Sequence, residues 1–245
     1  MKQFILILCC AFCVLGDALA ATALSSGARV GSLPAARVLF LGNSITLHGP
    51  LPSIGWSGNW GMAASSAEKD YVHLVAARIA KAAGASPELK VANIADFERQ
   101  HDTYDVAAGL KAELEFNADI VVVAIGENVP ALGSDAAKAK YAAAYARLLA
   151  ELKKHGHPAI FVRSCFWPDP AKDEIMKQAS VNAGVTFIDI APLGRDESNA
   201  ARSERKIDHA GVAGHPGDKG MQAIADAIWA AIQKQAARPA ERAKN

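Results

Sequence analysis

Three short polar runs hold the residue types that an acyl-transfer site needs. Ser44 lies in Gly42-Asn43-Ser44-Ile45-Thr46, at the end of an apolar run. A serine following Gly and Asn at a strand end can present its hydroxyl at a sheet edge, although the same residues alone also make an ordinary turn or cap. The run is not the G-x-S-x-G elbow, because Thr46 stands where the second glycine would be. A serine becomes a nucleophile when a neighbouring base takes its proton, and the oxyanion that then forms needs N–H donors. His215 stands in Gly214-His215-Pro216-Gly217-Asp218-Lys219-Gly220-Met221, directly before a helical segment. A fixed turn there aims the imidazole at the strand ends, with the helix anchored through Met221 and Ile224. Asn128, in Ile125-Gly126-Glu127-Asn128, puts a side-chain amide at the same edge, although Asn-Val-Pro is equally a turn sequence.

The other histidines carry less. His155 and His157 flank Gly156 just past a helical segment, where a helix-end role competes with a metal pair that no cysteine or carboxylate cluster accompanies. His73 reads as a half-buried helix residue, His48 has no defined geometry towards Ser44, and His101 and His209 lie in loops. Cys165 has no base beside it and reads as a packed residue.

These side chains must be held by a sheet. Apolar runs at 37–42, 90–96, 120–125, 159–163 and 185–190 are short, rich in Val, Ile or Phe, and show little polar alternation. That pattern fits strands buried on both faces of a parallel sheet. Amphipathic stretches lie between them. Ser65-Ser66-Ala67-Glu68 reads as a capping box that opens a helix to about residue 83, with Val72, Val75 and Ile79 on one face. Further helices are expected near 104–116, 135–154, 171–183 and from Asp218 onward, giving a three-layer α/β/α sandwich with right-handed crossovers. Residues 47–64 and 191–217 are too long for ordinary connections. Both leave strands at their carboxyl ends, where open α/β sheets bind ligands.

Taken together and in this order, the Ser44, Gly126-Glu127-Asn128 and His215 runs resemble the SGNH (GDSL-like) hydrolases over most of residues 37–235. The resemblance implies a flavodoxin-like α/β/α fold with a five-stranded parallel sheet, and serine-dependent ester hydrolysis. It makes Ser44 the nucleophile and His215 the general base. Asn128 becomes an oxyanion-hole donor together with the backbone N–H of Ser44. Asn43 replaces the usual Asp. The second motif lacks its glycine over 91–98, so the backbone N–H of Glu98 stands in for that donor. Val212 occupies the place of the triad acid, three residues before the histidine. Imidazole Nδ1 then needs another acceptor: a backbone carbonyl in the 210–213 turn, giving a Ser–His dyad, or Asp208 if the loop folds back.

Composition sets the frame. The chain has 245 residues, 51% apolar, with 26 basic against 25 acidic side chains. That excludes a disordered chain or a small disulfide scaffold, and the net charge of +1 gives no electrostatic reason for nucleic-acid binding. Met1-Lys2-Gln3, the apolar run 4–16 and Ala18-Leu19-Ala20 read as a cleaved signal peptide over 1–20. The run is shorter than the roughly 20 residues that span a bilayer. A retained anchor is the competing reading. A periplasmic or secreted protein is expected, with Cys165 its one cysteine after cleavage. A flexible segment over 21–32, a single domain over 33–236 and a polar tail over 237–245 complete the expected organisation. The expected substrate is a small acyl ester, acetyl foremost, on a carbohydrate, with Trp56, Trp60 and Trp167 either lining the cleft or packing their loops. A thioesterase or lysophospholipase on the same residues, and a non-catalytic carbohydrate-binding protein on this scaffold, are the alternatives. No cofactor or metal is implied.

Overall fold

The five apolar runs form one sheet. In the computed structural model, which describes residues 27–238, the strands are β1 (Arg37–Gly42), β2 (Glu88–Asn93), β3 (Ile120–Ala124), β4 (Ala159–Arg163) and β5 (Thr186–Ile188). Their order is β2-β1-β3-β4-β5, with every neighbouring pair parallel. Six helices frame the site: α1 (Tyr71–Ala83), α2 (Ala95–Gln100), α3 (Asp135–Lys154), α4 (Pro170–Ala183), α5 (Ala210–Ala213) and α6 (Asp218–Ala236).

Successive strand side chains point to opposite faces, so each strand feeds two cores. Val38, Phe40, Val122 and Phe161 share a cluster with Val75 and Ile79 of α1 and Ile224 and Ile228 of α6. Leu39, Leu41, Val121, Val123 and Val162 share the other with Tyr141, Tyr145 and Leu148 of α3 and Met176 of α4. Burial on both sides is why the three central strands, β1, β3 and β4, read as unbroken apolar runs, whereas the edge strand β2, Glu88–Asn93, is only half-buried. The three-layer sandwich is as the sequence implies.

Four details differ from the sequence reading. The expected capping box does not form. Ser65 instead donates its backbone N–H (2.8 Å) and hydroxyl (2.6 Å) to Asp218. Residues Ala67–Lys69 make a 3-10 turn, and Asp70 caps α1 by accepting from the His73 N–H. The second strand stops at Asn93, because the following residues turn into α2. The expected helix over 104–116 is two short pieces, Val106–Gly109 and Lys111–Glu115, either side of buried Leu110. The segment ahead of residue 33 is ordered from residue 27: Arg29–Val30 pairs antiparallel with Leu33–Pro34, and Val30 packs into the α1/α6 layer. The leader over 1–20 and nearly all of the tail lie outside the described residues.

Candidate active site

The direction of the connections reverses between β1 and β3, which run side by side but lead to opposite edges of the sheet. A crevice opens at such a switch point, beyond the carboxyl ends of the strands. Ser44 follows β1 and Asn128 follows β3, so both stand at its mouth.

A tight turn sets the Ser44 hydroxyl. Backbone N–H groups of Thr46 and Leu47 both donate to the Asn43 carbonyl at 2.9 Å. The Asn43 side-chain oxygen accepts from the Ile45 N–H at 3.1 Å. A β-carbon on Gly42 would lie 1.8 Å from Thr46 Oγ1, so the turn closes only over glycine. The sequence is thus both the turn and the presenting strand end.

His215 sits between α5 and α6. Its N–H donates to the Val212 carbonyl (3.0 Å) and its carbonyl accepts from the Ala201 N–H (2.8 Å). Fully buried Met221 and Ile224 hold the following helix against the sheet. The imidazole reaches Ser44: Nε2 lies 2.8 Å from Ser44 Oγ. On the far side Nδ1 lies 2.7 Å from the Gly211 carbonyl oxygen. A carbonyl only accepts, so Nδ1 carries the proton and Nε2 is left to accept from the serine hydroxyl. Burial lowers the His215 pKa from its ordinary value, and the bond to Gly211 offsets part of that effect. Of the two acceptors open to Nδ1, the structure provides the backbone carbonyl. Asp208 does not serve, because its side chain is 94% exposed and its neighbour is Lys206, 3.9 Å away. Val212 is buried in an apolar cluster with Trp56, Met62, Ala63 and Ala201.

Beneath these groups lies a buried polar network that the sequence reading missed. Glu98 Oε1 accepts from the Gly126 N–H (2.6 Å), the Asn128 N–H (3.1 Å) and Asn43 Nδ2 (3.2 Å). Its Oε2 accepts from Asn128 Nδ2 at 2.7 Å. Asn43 Nδ2 also donates to Glu127 Oε2 at 2.7 Å. Glu127 Oε1 accepts from Arg163 Nη1 (2.6 Å) and the Phe166 N–H (2.8 Å). Burial raises the Glu98 pKa, with the nearby Glu127 charge adding to it. Burial is the largest influence on Glu127 and opposes its ionisation, but the Arg163 guanidinium and the hydrogen bonds from the Phe166 N–H and Asn43 Nδ2 together outweigh it and hold that carboxyl below the usual range. Gly126, at φ +133°, permits the approach: a β-carbon there would meet Cys165 Sγ at 2.5 Å. Cys165 is itself buried, and burial pushes its thiol far up, as befits a packed residue.

A cavity of about 500 Å³ opens over Ser44, Asn128 and His215, with Met62, Asp96 and Arg99 on its walls. The profile of the GDSL-like lipase/acylhydrolase family matches residues 40–223. The chain belongs to that family.

Solved structures agree on the fold of this GDSL-like hydrolase. A protein of Parabacteroides merdae ATCC 43184 described as a GDSL-like lipase is 17% identical, with a TM-score of 0.54 over 84% of this chain and 99% of that one. The acetyl xylan esterase AlAXEase is 17% identical, with a TM-score of 0.50 over 80% and 98% of the two chains. A family two carbohydrate esterase from Cellvibrio japonicus is 18% identical, with a TM-score of 0.50 over 83% and 62%. No curated protein matches the chain.

Several expected site residues of this GDSL-like hydrolase are placed otherwise. The Glu98 N–H lies inside α2 and donates to the Ile94 carbonyl at 3.4 Å, so it faces no oxyanion. What Glu98 brings to the site is its carboxylate. Trp56 is buried, with Nε1 on the His48 carbonyl, and Trp60 Nε1 donates to the Ala64 carbonyl, both at 3.0 Å. Their rings meet edge to face at 5.6 Å and pack the 47–64 loop rather than line the cavity beside Ser44. Of the three tryptophans, Trp167 alone stands beside His215: it is 40% exposed, its ring centroid lies 5.0 Å from that of His215, and Nε1 donates to the Gly214 carbonyl at 3.2 Å.

Proposed function

We propose that this GDSL-like hydrolase is a serine esterase that removes small acyl groups, acetyl foremost, from a carbohydrate. The observation that carries the reading is the relay Ser44 Oγ–His215 Nε2–Gly211 carbonyl, with distances of 2.8 and 2.7 Å. In the first half-reaction His215 Nε2 takes the Ser44 proton as Oγ attacks the ester carbonyl. The oxyanion is held by Asn128 Nδ2 and the Ser44 N–H, which the Asn43 turn leaves aside in favour of the Ile45 N–H. Protonated His215 then gives its proton to the leaving alcohol. In the second half-reaction His215 activates water against the acyl-enzyme, and the acid departs. Gly211 does for Nδ1 what a triad carboxylate does for orientation, without a countercharge for the imidazolium.

Substrate class rests on the cavity. Asn93, Asp96 and Arg99 give it polar walls, and its volume of about 500 Å³ suits a sugar ring with a short acyl group. The exposed Trp167 ring beside His215 offers a face for a sugar to stack on. The shared fold with an acetyl xylan esterase and a carbohydrate esterase supports the same reading. The leader-like pattern of the first twenty residues fits a protein delivered to the periplasm or beyond.

The test compares acetyl and octanoyl p-nitrophenyl esters with the wild type and Ser44→Ala. Acetyl turnover should exceed octanoyl turnover, and Ser44→Ala should lose at least about 10³-fold in kcat. Full activity of Ser44→Ala would sink the mechanism, and a preference for octanoyl would move the substrate to a thioester or lysophospholipid.

A further inference from the structure

Glu98 is fully buried and contacts both turns that carry the site: Asn43, which precedes the nucleophile, and Gly126 and Asn128 after β3. Each of its oxygens meets only N–H donors. An ionised carboxylate can only accept, so it sorts the two ends of the Asn128 amide. Nδ2 is drawn to Oε2 at 2.7 Å, whereas Oδ1 in that place would set two acceptors against each other. Nδ2 has two hydrogens. With one held on Glu98, the other stays on the same nitrogen for the cavity that Asn128 shares with Ser44. An amide turned over would instead offer Oδ1 to a developing oxyanion and repel it.

We propose that Glu98 is the positioning residue of the oxyanion hole, fixing the Asn128 amide with Nδ2 towards the reaction centre and tying the Asn43 and Asn128 turns to one carboxylate. The role rests on the esterase reading of Ser44 and His215. It is separate from the backbone donor that a glycine in the second motif would supply, since the Glu98 N–H is spent within α2.

Glu98→Gln preserves size. Its carbonyl can still accept from Gly126 and Asn128 N–H groups, but its NH2 then faces Asn128 Nδ2, and the asparagine amide must turn over. With acetyl p-nitrophenyl ester, kcat should fall about 10²- to 10³-fold, the loss expected for one oxyanion donor. KM should move little, because the interaction belongs to the transition state. Asn128→Ala should lose a similar factor, and Glu98→Gln/Asn128→Ala should be no slower than Asn128→Ala alone. A Glu98→Gln enzyme with wild-type kcat, or losses that multiply in the double variant, would overturn the proposal.

A readout on the unsubstituted protein guards against a folding defect. In ¹⁵N-labelled wild type, one Asn128 side-chain N–H should resonate downfield and exchange slowly, as a donor to a buried carboxylate does. An Asn128 amide that exchanges as freely as an exposed one would equally overturn it. A wild type without Ser44-dependent turnover removes the esterase reading and this role together. An active wild type indifferent to Glu98→Gln removes this role alone.

Discussion

Gly211 gives His215 orientation without charge, and two consequences follow at single residues. Burial lowers the His215 pKa in the folded protein, so Nε2 stays free to accept a proton to more acidic pH than an exposed imidazole would. The acid limb of kcat/KM for acetyl p-nitrophenyl ester should therefore have its midpoint below about 6.5, and a midpoint above that would contradict the dyad geometry. The same shift makes His215 a cost in acid. The unfolded chain takes the proton first, so stability is unaffected above about pH 6.5 and declines as pH falls through the lowered native pKa. Val212 is the position where the family resemblance expects an acid. Its side chain belongs to the Trp56 and Met62 cluster, and Nδ1 is already satisfied by Gly211. Val212→Asp should accordingly fail to raise kcat and should cost about 1–3 kcal/mol of stability by placing a carboxylate among apolar groups. Urea unfolding and a kcat measurement on one preparation check both halves.

At the scale of elements, the loop of residues 47–64 is held by one side chain that the sequence reading passed over. Buried Asp70 accepts from the His73 N–H at 2.8 Å as the cap of α1, and its other oxygen accepts from the Gly61 N–H at 3.0 Å. Asp70→Ala should lose about 1–2 kcal/mol as an N-cap. It should also speed amide exchange at Gly61 and at Met62, whose N–H donates to the Ser44 carbonyl. Unchanged exchange there would mean that the loop is held by Trp56 and Trp60 alone. Elements whose signal is local were legible. The strand over 159–163 and the helix over 135–154 stand where periodicity put them, because apolar spacing and the Ser134 cap are properties of neighbouring residues. The capping box at Ser65 failed for the opposite reason. Its hydroxyl is claimed by Asp218, 153 positions away, and no local pattern records that competition. Trp56 and Trp60 were ambiguous on the same ground, since aromatic type in a loop fits a core and a cleft equally well.

Across the whole molecule, the site gathers Asn43 and Ser44, Glu98, Glu127 and Asn128, and His215 from four separated stretches of chain. That Ser44, His215 and Asn128 share one sheet edge was readable because each follows a strand or precedes a helix in a recognisable run. The network beneath them was not, because its bonds join residues 28 to 84 positions apart and depend on strand register. Arg163 is its far end. It stands at the tip of β4 and is fully buried. It donates to Glu127, to the Ser164 carbonyl (2.9 Å) and to the Ala124 carbonyl (3.2 Å). Removing only the cation leaves the Glu127 carboxylate buried without its partner, so Arg163→Met should cost about 3–5 kcal/mol near neutral pH. The sign with pH separates this cause from lost packing. Arg163 holds the Glu127 pKa below the unfolded value, so the ion pair adds stability above about pH 4.3 and loses it as pH falls through the native pKa. In Arg163→Met that contribution is already gone, and a neutral Glu127 is cheaper to bury than an anion. The gap between wild type and variant should therefore shrink between neutral pH and about pH 4.5. Urea unfolding at the two pH values measures the gap directly, and a gap of equal size at both would assign the loss to packing around the guanidinium instead of to the buried charge.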